Sequence, residues 1–215
     1  MRITVTSDLH GYFPETSGGD LLIIAGDLTS DHSIHSFIEF LDWINSQEYK
    51  KKIFIGGNHD TFLTTMDISK VKGMFEMMQS DGIIYLNDSG LTFEGLKIWG
   101  SPWSLWFYGI NPYCKAFTGS ESDLNKKYEL IPDDTDILIT HGPPHGILDK
   151  TKEGNHVGSY SLRQALDRVR PRLHIFGHIH ECGGKRLDCV VTEYINASHV
   201  NRAYEPVNPP IDLEL

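Results

Sequence analysis

Five points along the 215-residue chain carry side chains suited to chemistry, and each follows a short apolar run. Residues 3–6 lead to Asp8 and His10, and residues 21–25 lead to Gly26 and Asp27. Residues 53–55 lead to Gly56, Gly57, Asn58, His59 and Asp60. Residues 137–140 lead to His141 and Gly142, and residues 173–176 lead to Gly177, His178 and His180. Asp8/His10 and His178/His180 are i,i+2 pairs. In extended chain such residues point the same way, so each pair can aim at one point. The adjacent glycines let the backbone turn sharply and approach closely. Carboxylate and amide oxygens mix with imidazole nitrogens, and no thiol joins them. That donor set favours Mn, Fe, Zn, Co or Ni over Ca or over sites for soft ions. Asp8, His10, Asp27, Asn58, His141, His178 and His180 are seven candidate ligands, more than one ion uses. Two ions roughly 3.5–4 Å apart would use them if a carboxylate bridges the pair. Such a pair polarises a phosphoryl oxygen, lowers the pKa of a bridging water to make hydroxide, and clamps an in-line displacement. His59 is left over beside Asn58 and suits the general acid for the leaving oxygen. Asp60 is a candidate to orient that imidazole, with a solvated loop acid as the alternative.

Something must hold these points together. Further apolar runs at 83–86, 96–99 and 190–194 alternate with helical periodicity. Ile34, Phe37, Ile38, Leu41 and Ile44 form one helix face, as do Val71, Phe75 and Met78, and Leu162, Ala165, Leu166 and Val169. The alternation predicts an α/β class. The continuous apolar character of 21–25 and 137–139 suits strands covered on both faces. In open α/β sheets, ligands bind beyond the carboxyl ends of the strands, where all five points fall. The aromatic-rich stretch from Trp99 to Tyr113, with the polar stretch to Glu121, reads as a long irregular insertion. No repeat or composition shift divides the chain, which predicts one domain over 1–215.

Composition narrows the function. Hydrophobic residues make up 40% and charged residues 22%, which excludes a disordered or fibrous chain. Lys plus Arg is 19 against 29 for Asp plus Glu, a formal charge of −10. Duplex nucleic acid needs a basic face, so it is not an expected partner. The 11 His in so acidic a chain point toward bound cations instead. Three Cys without C-x-x-C spacing predict a reduced compartment. With no apolar stretch long enough for a signal peptide or a membrane helix, the expectation is a soluble, cytoplasmic protein without membrane contact.

The blocks DLHG at 8–11, GDL at 26–28, GNHD at 57–60, THG at 140–142 and GHIH at 177–180 resemble the calcineurin-like metallophosphoesterase superfamily, in that family's order and over nearly the whole chain. Gly100-Ser101-Pro102-Trp103, Thr140-His141-Gly142-Pro143-Pro144, Gly177-His178-Ile179-His180-Glu181, Asn196-Ala197-Ser198 and Val207-Asn208-Pro209-Pro210-Ile211 resemble its small class III phosphodiesterase-like branch. The resemblance implies a four-layer αββα sandwich with a dinuclear metal site at the C-terminal ends of its strands. It implies one ion on Asp8, His10, Asp27 and His180, and a second on Asp27, Asn58, His141 and His178, with Asp27 bridging. It assigns the leaving-group acid to His59. The implied activity is a hydrolase for phosphodiesters, cyclic nucleotides among them, using two divalent ions (manganese first) and a metal-bridging hydroxide. The substrate would be a small phosphoester or nucleotide. The alternatives are a nuclease or broad phosphomonoesterase on the same site, or a nucleotide-binding scaffold with little turnover.

Other residues carry weaker expectations. His32 and His35 read as solvated and His174 as structural. His145 and His156 read as loop bystanders that could reach substrate, and His199 is undecided. Trp103, Trp106, Phe107 and Tyr108 could wall a base-stacking pocket, with packing expected for at least two. Met74, Met77 and Met78 read as helix packing. Pro143-Pro144 would fix the loop presenting His141. Ile211 and Leu213 would pair at a sheet edge.

Overall fold

The structure, a computed structural model, describes residues 1–31, 33–65, 78, 81–107 and 113–215. Two sheets hold the core. In the first, β1 (Arg2–Thr6), β2 (Gly19–Ala25), β3 (Tyr49–Ile55) and β4 (Ile83–Tyr85) are parallel neighbours. The chain returns at its far end as β13 (Ile211–Glu214), antiparallel to β1 with Val5 opposite Ile211. In the second sheet, β6 (Leu96–Ser101), β9 (Ile137–Thr140), β10 (Leu173–Phe176) and β12 (Glu193–Asn196) run parallel. Antiparallel edges flank them, β5 (Ser89–Phe93) beside β6 and β11 (Lys185–Asp188) beside β12. A short pair, β7 (Ser104–Leu105) with β8 (Thr118–Gly119), stands apart.

Side-chain parity decides the layers, because alternate strand residues face opposite sides. Ile3, Val5, Leu21, Ile23, Ile53 and Ile55 point inward and meet Ile98, Ile137, Ile139, Leu173, Ile175 and Ile195 of the second sheet. The opposite parity of the first sheet, Leu22, Ile24 and Phe54, lies under α1 (Ile34–Ser46) through Phe37, Phe40 and Ile44. On the far side, Leu138, Phe176 and Tyr194 lie under two later helices. After the short α2 (Thr61–Thr65), these are α3 (Glu121–Tyr128) and α4 (Tyr160–Val169). Three apolar seams between helices, sheet, sheet and helices make the four-layer αββα sandwich.

The helices start where capping chemistry allows. Ser33 accepts from Ser36 N–H at the head of α1. Ser120 and Asp123 form a reciprocal capping box on α3. Ser159 caps α4, and Glu121 of α3 adds a carboxylate that accepts from Tyr160 and Ser161 N–H, the charge a helix N-terminus favours.

Several elements differ from the sequence reading. The α1 face is Phe37, Phe40 and Ile44, while Ile34 and Ile38 are exposed, because the stripe that follows the helix twist runs through Phe40. The last parallel strand is Glu193–Asn196, not 190–194. Val190 and Val191 stand exposed in the connection from β11, and valine supplies β-propensity without requiring a partner strand. Strand β11 adds an element that no apolar run marks, since its four residues are exposed and charged edge strands carry no apolar alternation. The 99–121 stretch is less irregular than expected: β6 runs through Ser101, β7 and β8 pair, and Ser120 opens α3. Val71, Phe75, Met74, Met77, His32 and Tyr108 lie outside the described residues, and Met78 is buried against the α1 seam. No described helix is long and apolar enough to cross a membrane.

His174 is structural, as its strand parity suggests. Thr140 Oγ1 donates to the Gly142 carbonyl at 2.7 Å, so it accepts from His174 Nε2 at 2.9 Å. That tautomer leaves His174 Nδ1 bare, buried and without a partner. Protonation there would bury an unpaired charge, and burial pushes the imidazole down to about 3. The unfolded chain therefore binds a proton below pH ~6.5 that the folded chain refuses, so stability falls as pH drops. Replacing His174 with Gln keeps a donor for Thr140 and removes the titration. Urea denaturation at pH 7 and pH 5 should show the variant losing about 2 kcal/mol less than the wild type over that interval. Equal losses would refute the buried neutral imidazole.

Candidate metal centre

The parallel strands of both sheets end at the same side of the sandwich, and their following loops meet there. The sheets are stitched together at that end by main chain. Ser7 N–H donates to the Ala197 carbonyl at 2.9 Å, and His199 N–H donates to the Ser7 carbonyl at 2.8 Å. Asp8 N–H donates to the Gly26 carbonyl and His10 N–H to the Asp27 carbonyl, which ties the β1 loop to the β2 loop.

All seven candidate ligands come together. Donor atoms of Asp8, His10 and His180 lie within 4.8 Å of one another, as do those of Asp27, His141 and His178. A third such group, His10, Asp27 and His59, joins the two. Asn58 Oδ1 is 2.9 Å from His141 Nε2, which places its carbonyl oxygen in the same cluster. Asp8 and Asp27 are buried. Asp8 accepts from His178 N–H at 3.0 and 3.1 Å and from Ser198 Oγ at 2.7 Å, and faces His180 Nε2 at 3.2 Å. Asp27 accepts His59 N–H at 2.8 Å on Oδ1. Its Oδ2 faces His141 Nε2 at 3.3 Å and His10 Nε2 at 3.8 Å.

The imidazoles of His141 and His180 present their Nε2 atoms inward because their other nitrogens are occupied. His141 Nδ1 donates to the Ala25 carbonyl at 3.0 Å and His180 Nδ1 to the Asn201 carbonyl at 3.2 Å. Such outer bonds fix the tautomer and ring plane of a ligating histidine. His10 Nε2 and His178 Nε2 are buried with no hydrogen-bond partner. Burial pushes His10 down to about 4 and His178 to about 3, so both hold free lone pairs at neutral pH. Burial pushes the Asp27 carboxyl up, but His141, His59 and His10 outweigh it and keep it well below the usual range. Burial likewise pushes Asp8 up, and His180 and His141 outweigh it. Two orphaned imidazole nitrogens converging on two ionised carboxylates fit divalent cations of borderline hardness. The residues present therefore suit the two-ion site that the motifs imply.

Close backbone approach makes this packing possible. A Cβ on Gly177 would stand 2.0 Å from Asp8 Oδ2, and one on Gly57 2.2 Å from Asp27 Oδ1. Asp8, His10, Asp27 and His178 all hold positive φ, between 45° and 69°.

Asp60 is placed differently from the expectation that it orients His59. It is buried, and its oxygens accept from Gly57 N–H at 2.8 Å and Leu28 N–H at 3.0 Å. Those amides neighbour Asn58 and Asp27, so Asp60 clamps two ligand loops together. Burial, then the charge of Asp27, pushes its carboxyl up to about 8. His59 instead packs edge-on against His10 at 4.7 Å, with Nδ1 3.5 Å from Cys114 Sγ.

Sequence reading missed the β12 end. Its loop supplies Ser198 to Asp8, the Asn201 carbonyl to His180, and Tyr204, whose ring stands edge-on to His10 at 4.8 Å and His180 at 5.3 Å. Asn196-Ala197-Ser198 was the available signal, as a strand end carrying short polar residues. Tyr204 had none beyond its position. A cavity of about 200 Å³ opens over the cluster, lined by Asp27, Asn58, His59, His178, His180 and Tyr204 among others. Phe107 stacks on His178 at 5.9 Å. Trp103 packs away from the cluster, donating to Asp88, and Trp106 is exposed beneath Lys115. The remaining histidines stand outside the cluster. His156 bonds Asp149, His145 stacks on Tyr160, His199 bonds the Asn208 carbonyl, and exposed His35 faces Glu39.

An αββα sandwich whose strand ends gather imidazoles and carboxylates around one pocket is the architecture of a metal-dependent phosphoesterase. The sequence profile of the calcineurin-like phosphoesterases matches residues 1–182, and the chain belongs to that family. It is 42% identical to human metallophosphoesterase domain-containing protein 1 over 100% of its own length and 71% of the relative's. It is 32% identical to the UPF0046 protein T07D4.2 of Caenorhabditis elegans, over 92% of this chain and 54% of that one. The fold matches TT1561 of Thermus thermophilus with a TM-score of 0.66 at 14% identity, covering 99% and 98% of the two chains.

The glycine contacts make a direct prediction. Gly177→Ala should push Asp8 out of position. Metal analysis after reconstitution should show loss of bound metal while circular dichroism stays native; an alanine variant that keeps full stoichiometry would show that the close approach is dispensable.

Proposed function

We propose that the chain is a phosphodiesterase for small phosphodiesters, cyclic nucleotides among them, using two divalent ions with manganese the first choice. The observation that carries this reading is the convergence of three donor triads linked in series through His10 and Asp27, within which two buried imidazole nitrogens lack a hydrogen-bond partner. Asp8, His10, Asp27 and His180 would hold one ion. Asp27, Asn58, His141 and His178 would hold the other. Bound there, the ions supply Lewis-acid polarisation of the phosphoryl oxygen and a water of lowered pKa.

The chain's own groups do the rest. Asp27 reaches both halves of the cluster, and His59 N–H fixes the orientation of its carboxylate. The His59 imidazole lines the cavity mouth and protonates the leaving oxygen. Cys114 beside it does not compete as a nucleophile, since burial and then Asp27 push its thiol up. Phe107 and Tyr204 wall the approach and would seat a nucleoside.

A hydrolysis panel of cyclic nucleotides, dinucleotides and monoesters across several divalent metals tests the reading. Diesters should turn over faster than monoesters; a reversed order would remove the phosphodiesterase assignment. Asp27→Asn should lose metal and activity together, and retained stoichiometry would sink the bridging role. His59→Ala should keep its metal. It should slow esters with alkoxide leaving groups about 100-fold and p-nitrophenyl esters far less; equal slowing would argue against an acid.

A further inference from the structure

A second cavity, larger than the pocket over the cluster, adjoins the metal centre and differs from it in charge. It measures about 670 Å³, and His180, Glu181 and Arg202 line both it and the pocket over the cluster. Lys150, Lys152, Lys185 and Arg202 stand around it. Among the described residues its lining holds one acid, Glu181. Four cations against one acid is an inversion in a chain with 19 basic and 29 acidic residues.

Lys185 is held without being neutralised, and Arg202 is shared between two carboxylates. Lys185 Nζ donates to the Glu181 main-chain carbonyl at 2.8 Å, which fixes the ammonium without consuming its charge. Arg202 lies 3.5 Å from Glu153 and 3.9 Å from Glu181, at the long end of ion pairing. Its loop is built on Asn201, whose Oδ1 accepts from Ala203 N–H at 2.8 Å and Glu205 N–H at 3.1 Å. The Asn201 carbonyl accepts from His180 Nδ1. One residue thus sets the spacing between a metal-facing imidazole and the guanidinium at the groove's entrance. Ala203 and Val207 add an apolar wall.

We propose that this groove binds a second phosphate of the substrate, so that the preferred substrate is a small phosphoester bearing a further phosphate beyond the scissile one. The proposal rests on the phosphoesterase reading for what occupies the neighbouring pocket. The volume lies within the range of small-ligand sites. Cations gathered in one groove fit one compact anion, whereas a nucleic-acid strand needs a basic track over several phosphates.

Two measurements test it. Metal-free protein is titrated calorimetrically with inorganic tripolyphosphate at low salt. Lys152→Ala/Lys185→Ala, both exposed and outside the metal centre, should weaken binding at least tenfold with Tm unchanged; undiminished binding overturns the groove. Metal-loaded protein is then given thymidine 5′-(p-nitrophenyl phosphate) with and without a 3′-phosphate. The 3′-phosphorylated ester should show about tenfold higher kcat/KM, carried by KM. The double variant should lose that preference while hydrolysing bis(p-nitrophenyl) phosphate at the wild-type rate. Equal kcat/KM for the two esters in the wild type, or a preference kept by the variant, overturns the proposal. A single-stranded decanucleotide that outcompetes tripolyphosphate, compared at equal phosphate concentration, also overturns it, in favour of a nucleic-acid track. If no ester is hydrolysed, the phosphoesterase reading fails, and the metal-free titration alone decides the groove.

Discussion

The site depends on one buried carboxylate crossing between the two sheets. Asp8 leaves β1 in the first sheet and accepts from His178 N–H and Ser198 Oγ in loops of the second. A buried charge is tolerated only when its lone pairs are taken up. Here the partners come from residues 170 and 190 positions away, so satisfying Asp8 requires the sandwich to be closed. The same closure brings His178 within reach of Asp27 and His180 within reach of Asp8. Main-chain bonds from Ser7 and His199 reinforce the joint. The catalytic geometry and the packing of the two sheets are therefore one constraint.

Holding the ligands so close demands unfavourable backbone. Asp8, His10, Asp27 and His178 adopt left-handed φ, a conformation that costs an L-residue roughly 1–2 kcal/mol, less for Asp than for a bulky side chain. Each is restrained by bonds that only the folded loops provide. Asp8 and His10 N–H groups reach the β2 loop, His178 N–H reaches Asp8, and the Asp27 carboxylate takes His59 N–H. Asp60 closes the system by clamping the amides of Gly57 and Leu28. Strain gathered at four donor residues, and offset by the surrounding bonds, is the signature of a preorganised site.

Much of this was legible in the chain because strand parity and strand ends are local features. The alternation in Leu21–Ala25 already separates the inner face (Leu21, Ile23, Ala25) from the helix-facing one (Leu22, Ile24), and the ligand blocks follow the strands at once. The resemblance added the pairing of blocks that lie far apart in sequence. What stayed hidden depends on tertiary context. Tyr204 reaches the cluster only because Asn201 folds its loop back onto His180. Asp60 looks like a partner for His59 in sequence, yet the turn after Gly57 points its carboxylate at two backbone amides. Strand β11 is invisible to an apolar pattern because its residues touch solvent on both faces. Clustering of Lys150, Lys152, Lys185 and Arg202 required two loops and the start of β11 to meet.

Charge explains why such a site can form before any ion arrives. Two facing carboxylates would repel each other in a dry pocket, and burial and, less strongly, Asp27 work to raise the Asp8 carboxyl, though His180 and His141 outweigh them. Imidazoles offset this. Burial alone would lower His141 and His180, but the charge of Asp27 carries His141 up to about 9, and the bond to Asp8 raises His180. A proton on His141 thus stands in for part of the cationic charge, while burial keeps His10 and His178 neutral. In small zinc domains metal binding itself drives folding, because no core exists without it. Here three apolar seams fold the chain, and the donors are already placed. Binding free energy is then not consumed in ordering the backbone. Divalent charge held there would leave the pocket more positive than the chain's −10 suggests, which favours an anionic substrate at its mouth.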